Sequence, residues 1–99
     1  MKFLVVDDDS YVREMLIRYL SDYEVEILQA TNGEEALEQF NQHLPTVTIL
    51  DLNMPVMTGL EFLEKLDPKH LTTHFVIVMT GHGGDEDIER CYNLGVQSF

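Results

Sequence analysis

A doubly wound α/β fold on a parallel sheet is predicted by three features of the sequence. Short apolar runs rich in β-branched residues recur, as in FLVV, TIL and FVIV. Segments of helical periodicity separate them. Prolines, glycines and capping residues stand at the junctions.

Taken in order, Phe3–Asp8 reads as a fully buried strand that ends on acids. Asp9 and Ser10 are predicted to cap a first helix, whose inner face would carry Val12, Met15, Leu16, Tyr19 and Leu20. Val25–Ala30 begins with in/out alternation, as expected of an edge strand with one wetter side. Thr31 or Asn32 would cap the second helix with Glu34 or Glu35 as reciprocal partner, burying Ala36, Leu37, Phe40 and Leu44 before Pro45 ends it.

Thr46–Asp51 is the third predicted strand. Thr58 and Glu61 form a capping box for a third helix that buries Leu60, Leu63 and Leu66. His74–Thr80 is the fourth strand. Asp85, Glu86 and Asp87 suit the N-terminus of a last helix, with Ile88, Cys91, Tyr92 and Gly95 facing inward. Val96–Phe99 would begin a fifth strand. Strands joined through helices imply right-handed crossovers and a sheet covered on both faces, with every strand's carboxyl end on one edge. Ligands of such sheets bind at that edge.

Composition narrows the function. The 99 residues allow one domain, and the 44% hydrophobic content suffices for a single core. Eighteen acids against six bases give a net charge of −12, which opposes nonspecific binding to nucleic acid or anionic membrane. A single cysteine, Cys91, excludes an internal disulfide and fits a reducing cytoplasm; it falls on a core stripe rather than at a reactive position. No apolar run approaches membrane-spanning length. The four histidines suggest no zinc site.

The acids at the predicted strand ends carry the chemistry. Asp7 and Asp8 end the first strand, Asp51 the third and Thr80 the fourth, so they should meet in one crevice. A lone Asp after a strand is ordinarily a turn former or cap, and Asp9 fits that description. Three carboxylates in a partly desolvated crevice instead repel unless a cation or protons intervene. All-oxygen ligands with water access suit Mg²⁺, or Mn²⁺, better than zinc. Gly81, Gly83 and Gly84 follow Thr80 and would let the backbone approach an anion closely. A metal-bound carboxylate beside a hydroxyl is equipped to receive a phosphoryl group.

The motifs LVVDDD, ILDLNMP..TG and VIVMTG, in that order and spacing, resemble the receiver domain of two-component response regulators. The resemblance covers all 99 residues and implies a flavodoxin-like sheet of order 2-1-3-4-5. It implies that Asp51 accepts a phosphoryl group from the phosphohistidine of a histidine kinase or phosphotransfer protein. It further implies that Asp8 and Asp51 bind Mg²⁺ through their carboxylates, that Asp7 holds metal-bound waters, and that Asn53 offers its backbone carbonyl. Thr80 would be the switch hydroxyl, with Phe99 moving inward as it turns. Asn53 and His82 would set how fast the phosphoryl group is lost. Such a domain assists its own phosphorylation and dephosphorylation and is not otherwise an enzyme.

The chain departs from this pattern at its end. The family's lysine after strand five has no counterpart, and none of the six bases stands at the carboxyl end of a predicted strand. Strand five is only begun and helix five is absent, so residues 1–99 are expected to be a receiver cut short. Self-association through the exposed strand edge is expected in consequence. The competing reading is a phosphorylation-independent interaction or oligomerisation module that keeps the acidic pocket. An aspartyl phosphatase ranks below both, because Asn53 stands where that chemistry wants a second acid.

Overall fold

Four strands, β1 (Lys2–Val6), β2 (Glu26–Ala30), β3 (Val47–Asp51) and β4 (Phe75–Met79), form one parallel sheet of order β2-β1-β3-β4. The computed structural model describes residues 1–54, 56–79, 85–94 and 96. Helices α1 (Ser10–Leu20), α2 (Gly33–His43), α3 (Gly59–Lys65), α4 (Pro68–Thr73) and α5 (Asp85–Leu94) fill the connections. This is the flavodoxin-like α/β arrangement expected from the sequence, with β2 as the anticipated edge strand. Gln97–Phe99, the anticipated start of a fifth strand, lie outside the described residues. Among the described residues the outer edge of β4 has no strand partner, and self-association through it stands as a proposal.

The register sorts the strand residues into two faces, because successive side chains alternate. Leu4, Thr48 and Val76 form one row and Val6, Ala30, Leu50 and Val78 the next, all buried. Ala36 and Phe40 of α2, Phe62 and Leu63 of α3, Leu71 of α4 and Cys91 of α5 close over this face. Phe40 is the centre of an aromatic group. Its ring meets Phe62 edge-on at 6.1 Å and lies 5.4 Å from both His70 and His74. The Nδ1 of His74 donates to the Pro45 carbonyl at 2.6 Å, tying the entry of β4 to that of β3.

The other face is covered unequally. Val5 and Ile49 are buried there, yet no residue of α1 is. Met15 and Tyr19, expected on the inner side of α1, are 52% and 73% exposed. The inner side carries Val12, Leu16, Ile17 and Leu20, each half-buried, and β1 is the main neighbour of α1 among the described residues.

Smaller differences have local causes. Leu44, expected in the core, is half-exposed because it takes the left-handed C-cap position of α2 (φ 46°). Phe62, not expected, is fully buried, since α3 turns Phe62 and Leu63 inward together and leaves Leu60 at the margin. Helix α4 escapes sequence periodicity because it is six residues long; its signal is local, an Asp67 cap followed by Pro68 at the first helical position. The capping box Thr58–Glu61, the Asn32 cap and the buried Cys91 are as expected. Ile88, Tyr92 and Gly95 lie outside what is described of α5.

Candidate functional site

Two strand ends and the loops that leave them build the site. β1 ends one residue earlier than its acids, at Val6, but the Asp7 amide still donates to the Ala30 carbonyl at 3.1 Å and so continues the ladder with β2. That pairing buries Asp7 to 5% exposure and leaves Asp8, one residue on, exposed. The chain then turns through two side-chain acceptors. Asp7 Oδ1 takes the Asp9 amide at 2.9 Å, and Asp9 Oδ1 takes the Tyr11 amide at 2.9 Å, capping α1.

Asp51 closes β3 beside Met79 of β4. Its Oδ1 accepts the Asn53 amide at 3.0 Å, which fixes the carboxylate at the start of the β3–α3 loop. Leu52 and Met54 are buried on either side of exposed Asn53, so the loop is anchored in the core by alternate residues. Carboxylate oxygens of Asp7, Asp8 and Asp51 all lie within 4.8 Å of one another. They share an open cleft of about 360 Å³ with Asp9, Val12, Asn53 and Met79.

This grouping is electrostatically costly. Two like charges at such a separation repel by roughly 3 kcal/mol at an effective dielectric constant of about 20. Asp7 feels it most. Burial pushes its carboxyl above the ordinary range, the Asp9 amide pulls the other way, and the charges of Asp51, Asp8 and Asp9 add to the rise. The donor set is oxygen only, anionic and open to water, and therefore fits a hard divalent cation of the Mg²⁺ kind.

The sequence pointed to Asp7, Asp8, Asp51 and Asn53, and the fold brings these together. Thr80, His82 and Phe99 lie outside the described residues, as do Gly81, Gly83 and Gly84. Arg13 reaches the carboxyl end of β1 from within α1: it donates through Nη1 to the Asp7 carbonyl at 2.7 Å and reaches Gln29 through Nε at 3.4 Å. The signal was present in the spacing. Arg13 lies one turn past the Asp9 cap, and a helical side chain leans back toward its N-terminus. Beyond it, Glu35 accepts from the amide and hydroxyl of Thr31, which hold its carboxyl below the usual range.

A parallel sheet of order β2-β1-β3-β4 with an acid triad at its carboxyl edge defines the class of proteins that bind a charged ligand at a strand-order switch point. Comparison with known proteins is more specific. The family model described as the response regulator receiver domain matches residues 3–99, and the chain belongs to that family. Chemotaxis protein CheY1 of Helicobacter pylori is 36% identical, over 100% of this chain and 82% of that protein. The protein-glutamate methylesterase/protein-glutamine glutaminase of Bacillus licheniformis is 39% identical, over 100% of this chain but 28% of that protein. The crystal structure of Vibrio cholerae chemotaxis protein CheY4 matches with a TM-score of 0.86 at 31% identity, covering 98% of this chain and 82% of that one. The chain thus spans less than a third of the methylesterases it matches. Among the described residues no helix is long and apolar enough to cross a membrane.

Proposed function

We propose that this receiver domain accepts a phosphoryl group on the Asp51 carboxylate, in the presence of Mg²⁺, from the phosphohistidine of a histidine kinase or phosphotransfer protein in the cytoplasm. The observation that carries the reading is the convergence of Asp7, Asp8 and Asp51 within 4.8 Å, with Asp51 held at Oδ1 by the Asn53 amide.

Asp8 and Asp51 would hold the metal through their carboxylates, Asn53 through its backbone carbonyl, and Asp7 through metal-bound water. Mn²⁺ would serve in its place. When bound, the cation neutralises charge on the transferring phosphoryl oxygens. Asp51 does the bond-making. One of its carboxylate oxygens attacks phosphorus, the P–N bond to the donor imidazole breaks, and the nitrogen's electron pair leaves with the imidazole, which takes up a proton from solvent. The Asn53 amide restricts the carboxylate's rotation, so the nucleophile is oriented before the donor arrives. The burial that raises the Asp7 carboxyl makes the site unfavourable without a cation, which supports metal binding as a condition of the reaction.

Thr80 and Phe99 are assigned the conformational switch, and Asn53 and His82 the control of phosphoryl lifetime, on the family resemblance. The test is incubation with a small phosphodonor and Mg²⁺, followed by intact mass. One phosphoryl adduct, absent from Asp51→Asn, is the expected result. A folded chain that takes no adduct would favour the phosphorylation-independent interaction module.

A further inference from the structure

The loop that leaves Asp51 is held from a distance. Gly33 opens α2, eighteen residues before Asp51 in sequence, and its amide is one of the first-turn N–H groups that a helix cannot satisfy internally. It donates to the Met57 carbonyl at 2.8 Å. The approach is so close that a Cβ on Gly33 would stand 2.6 Å from that oxygen, 2.7 Å from Met57 Cγ and 2.8 Å from the Thr58 carbonyl oxygen. Two of the three are backbone atoms, which cannot swing away.

A second observation points to the same contact. Val56 has φ 69° and is 80% exposed. A β-branched residue in the left-handed region is strained, and burial gives nothing back here. Such a conformation persists only where the flanking chain is over-determined. The next residue, Met57, is the one tied to Gly33, and Gly59 beyond it donates to the Leu52 carbonyl at 3.1 Å.

We propose that Gly33 is a positioning residue of the phosphoryl-acceptor site: by docking the N-terminus of α2 on the Met57 carbonyl it holds the β3–α3 loop, and with it Asn53, where Asp51 and the cation need it. The inference rests on the metal-dependent reading given above. Helix α2 otherwise contributes no residue to the cleft, so the effect runs through the loop.

The test is Mn²⁺ affinity, followed by electron paramagnetic resonance on the whole chain alongside thermal unfolding without metal. Gly33→Ala is expected to bind Mn²⁺ about tenfold more weakly, as for loss of an outer-shell support. Leu71→Ala, a core cavity at the amino end of β4, serves as the control. It should melt lower yet keep wild-type Mn²⁺ affinity. Met57→Gly keeps the accepting carbonyl but frees the backbone that presents it and removes the side chain that anchors it, without a clash, and should also weaken binding. A folded Gly33→Ala with wild-type affinity overturns the proposal, as does equal weakening in Leu71→Ala. If Gly33→Ala does not fold, Met57→Gly decides, and unchanged affinity there overturns it. A wild-type chain that binds no Mn²⁺ would instead remove the metal-dependent reading itself, and the positioning role with it.

Discussion

Gly59, the first residue of α3, lies against the carbonyl of Asp51, the last residue of β3. A Cβ on Gly59 would collide with that oxygen and stand 2.9 Å from the Leu52 Cα. The strand end that carries the nucleophile and the helix that follows it are therefore in backbone contact. Gly59→Ala must move one of them. Overpacking of this kind costs about 1–3 kcal/mol, and the shift falls on Asp51. The expected outcome is a lower denaturation midpoint together with slower phosphorylation at saturating Mg²⁺; a variant with wild-type rate would show that the contact does not reach the carboxylate.

Relieving strain should have the opposite sign. Val56→Gly removes a left-handed β-branched residue from an exposed position. Strain relief of about 1–3 kcal/mol outweighs the added chain entropy of glycine, about 0.5–1 kcal/mol. A net gain of about 1 kcal/mol is expected, read as a higher urea midpoint at unchanged slope.

The Asp7 carboxyl predicts a linkage between pH and metal. Its folded-state value is raised from an ordinary 3.8, so the folded chain holds the proton more tightly than the unfolded one. Stability from this group is therefore lost as pH rises from the ordinary value through the raised one. Asp7→Asn should melt above wild type at neutral pH without metal, and the difference should vanish in acid below the ordinary value. Mg²⁺ at ten times its dissociation constant should stabilise wild type by about 1.4 kcal/mol, from RT ln(1 + [L]/Kd). That gain should shrink in Asp7→Asn. Melting curves at two pH values, with and without Mg²⁺, check all four outcomes.

Neighbouring acids should separate by role. Asp9 lines the cleft, but its Oδ1 caps α1 through the Tyr11 amide. Asparagine caps as well as aspartate, so Asp9→Asn should keep stability within about 0.5 kcal/mol and metal affinity within about threefold. Asp8→Asn should fold normally and lose at least about tenfold in affinity, because a carboxylate donor is gone. Calorimetric titration of the two variants with Mg²⁺ distinguishes them. Equal losses would mean that Asp9 is a ligand.

Much of this was legible in order of residues. Apolar runs of strand length, capping pairs such as Thr58–Glu61, and acids stacked at strand ends are local signals, and the right-handed crossover rule carries them to one edge of the sheet. What failed was of two kinds. Elements of fewer than two helical turns, such as the six-residue α4, leave too little pattern to read. Burial on α1 depends on how the helix packs against the sheet, which periodicity does not state; hence the misplacement of Met15 and Tyr19.

By itself the sequence determined the parallel α/β fold, the identity of the acids and the chemistry open to them, because hydrophobic period and carboxylate charge belong to residues one at a time. Tertiary structure alone decided that Arg13 reaches Gln29 on the neighbouring strand and that Gly33 grips the loop beside Asp51. Those are contacts between backbones and long side chains from separate elements. Their existence turns on tenths of an ångström in how helices settle against strand ends, and no spacing along the chain encodes that distance.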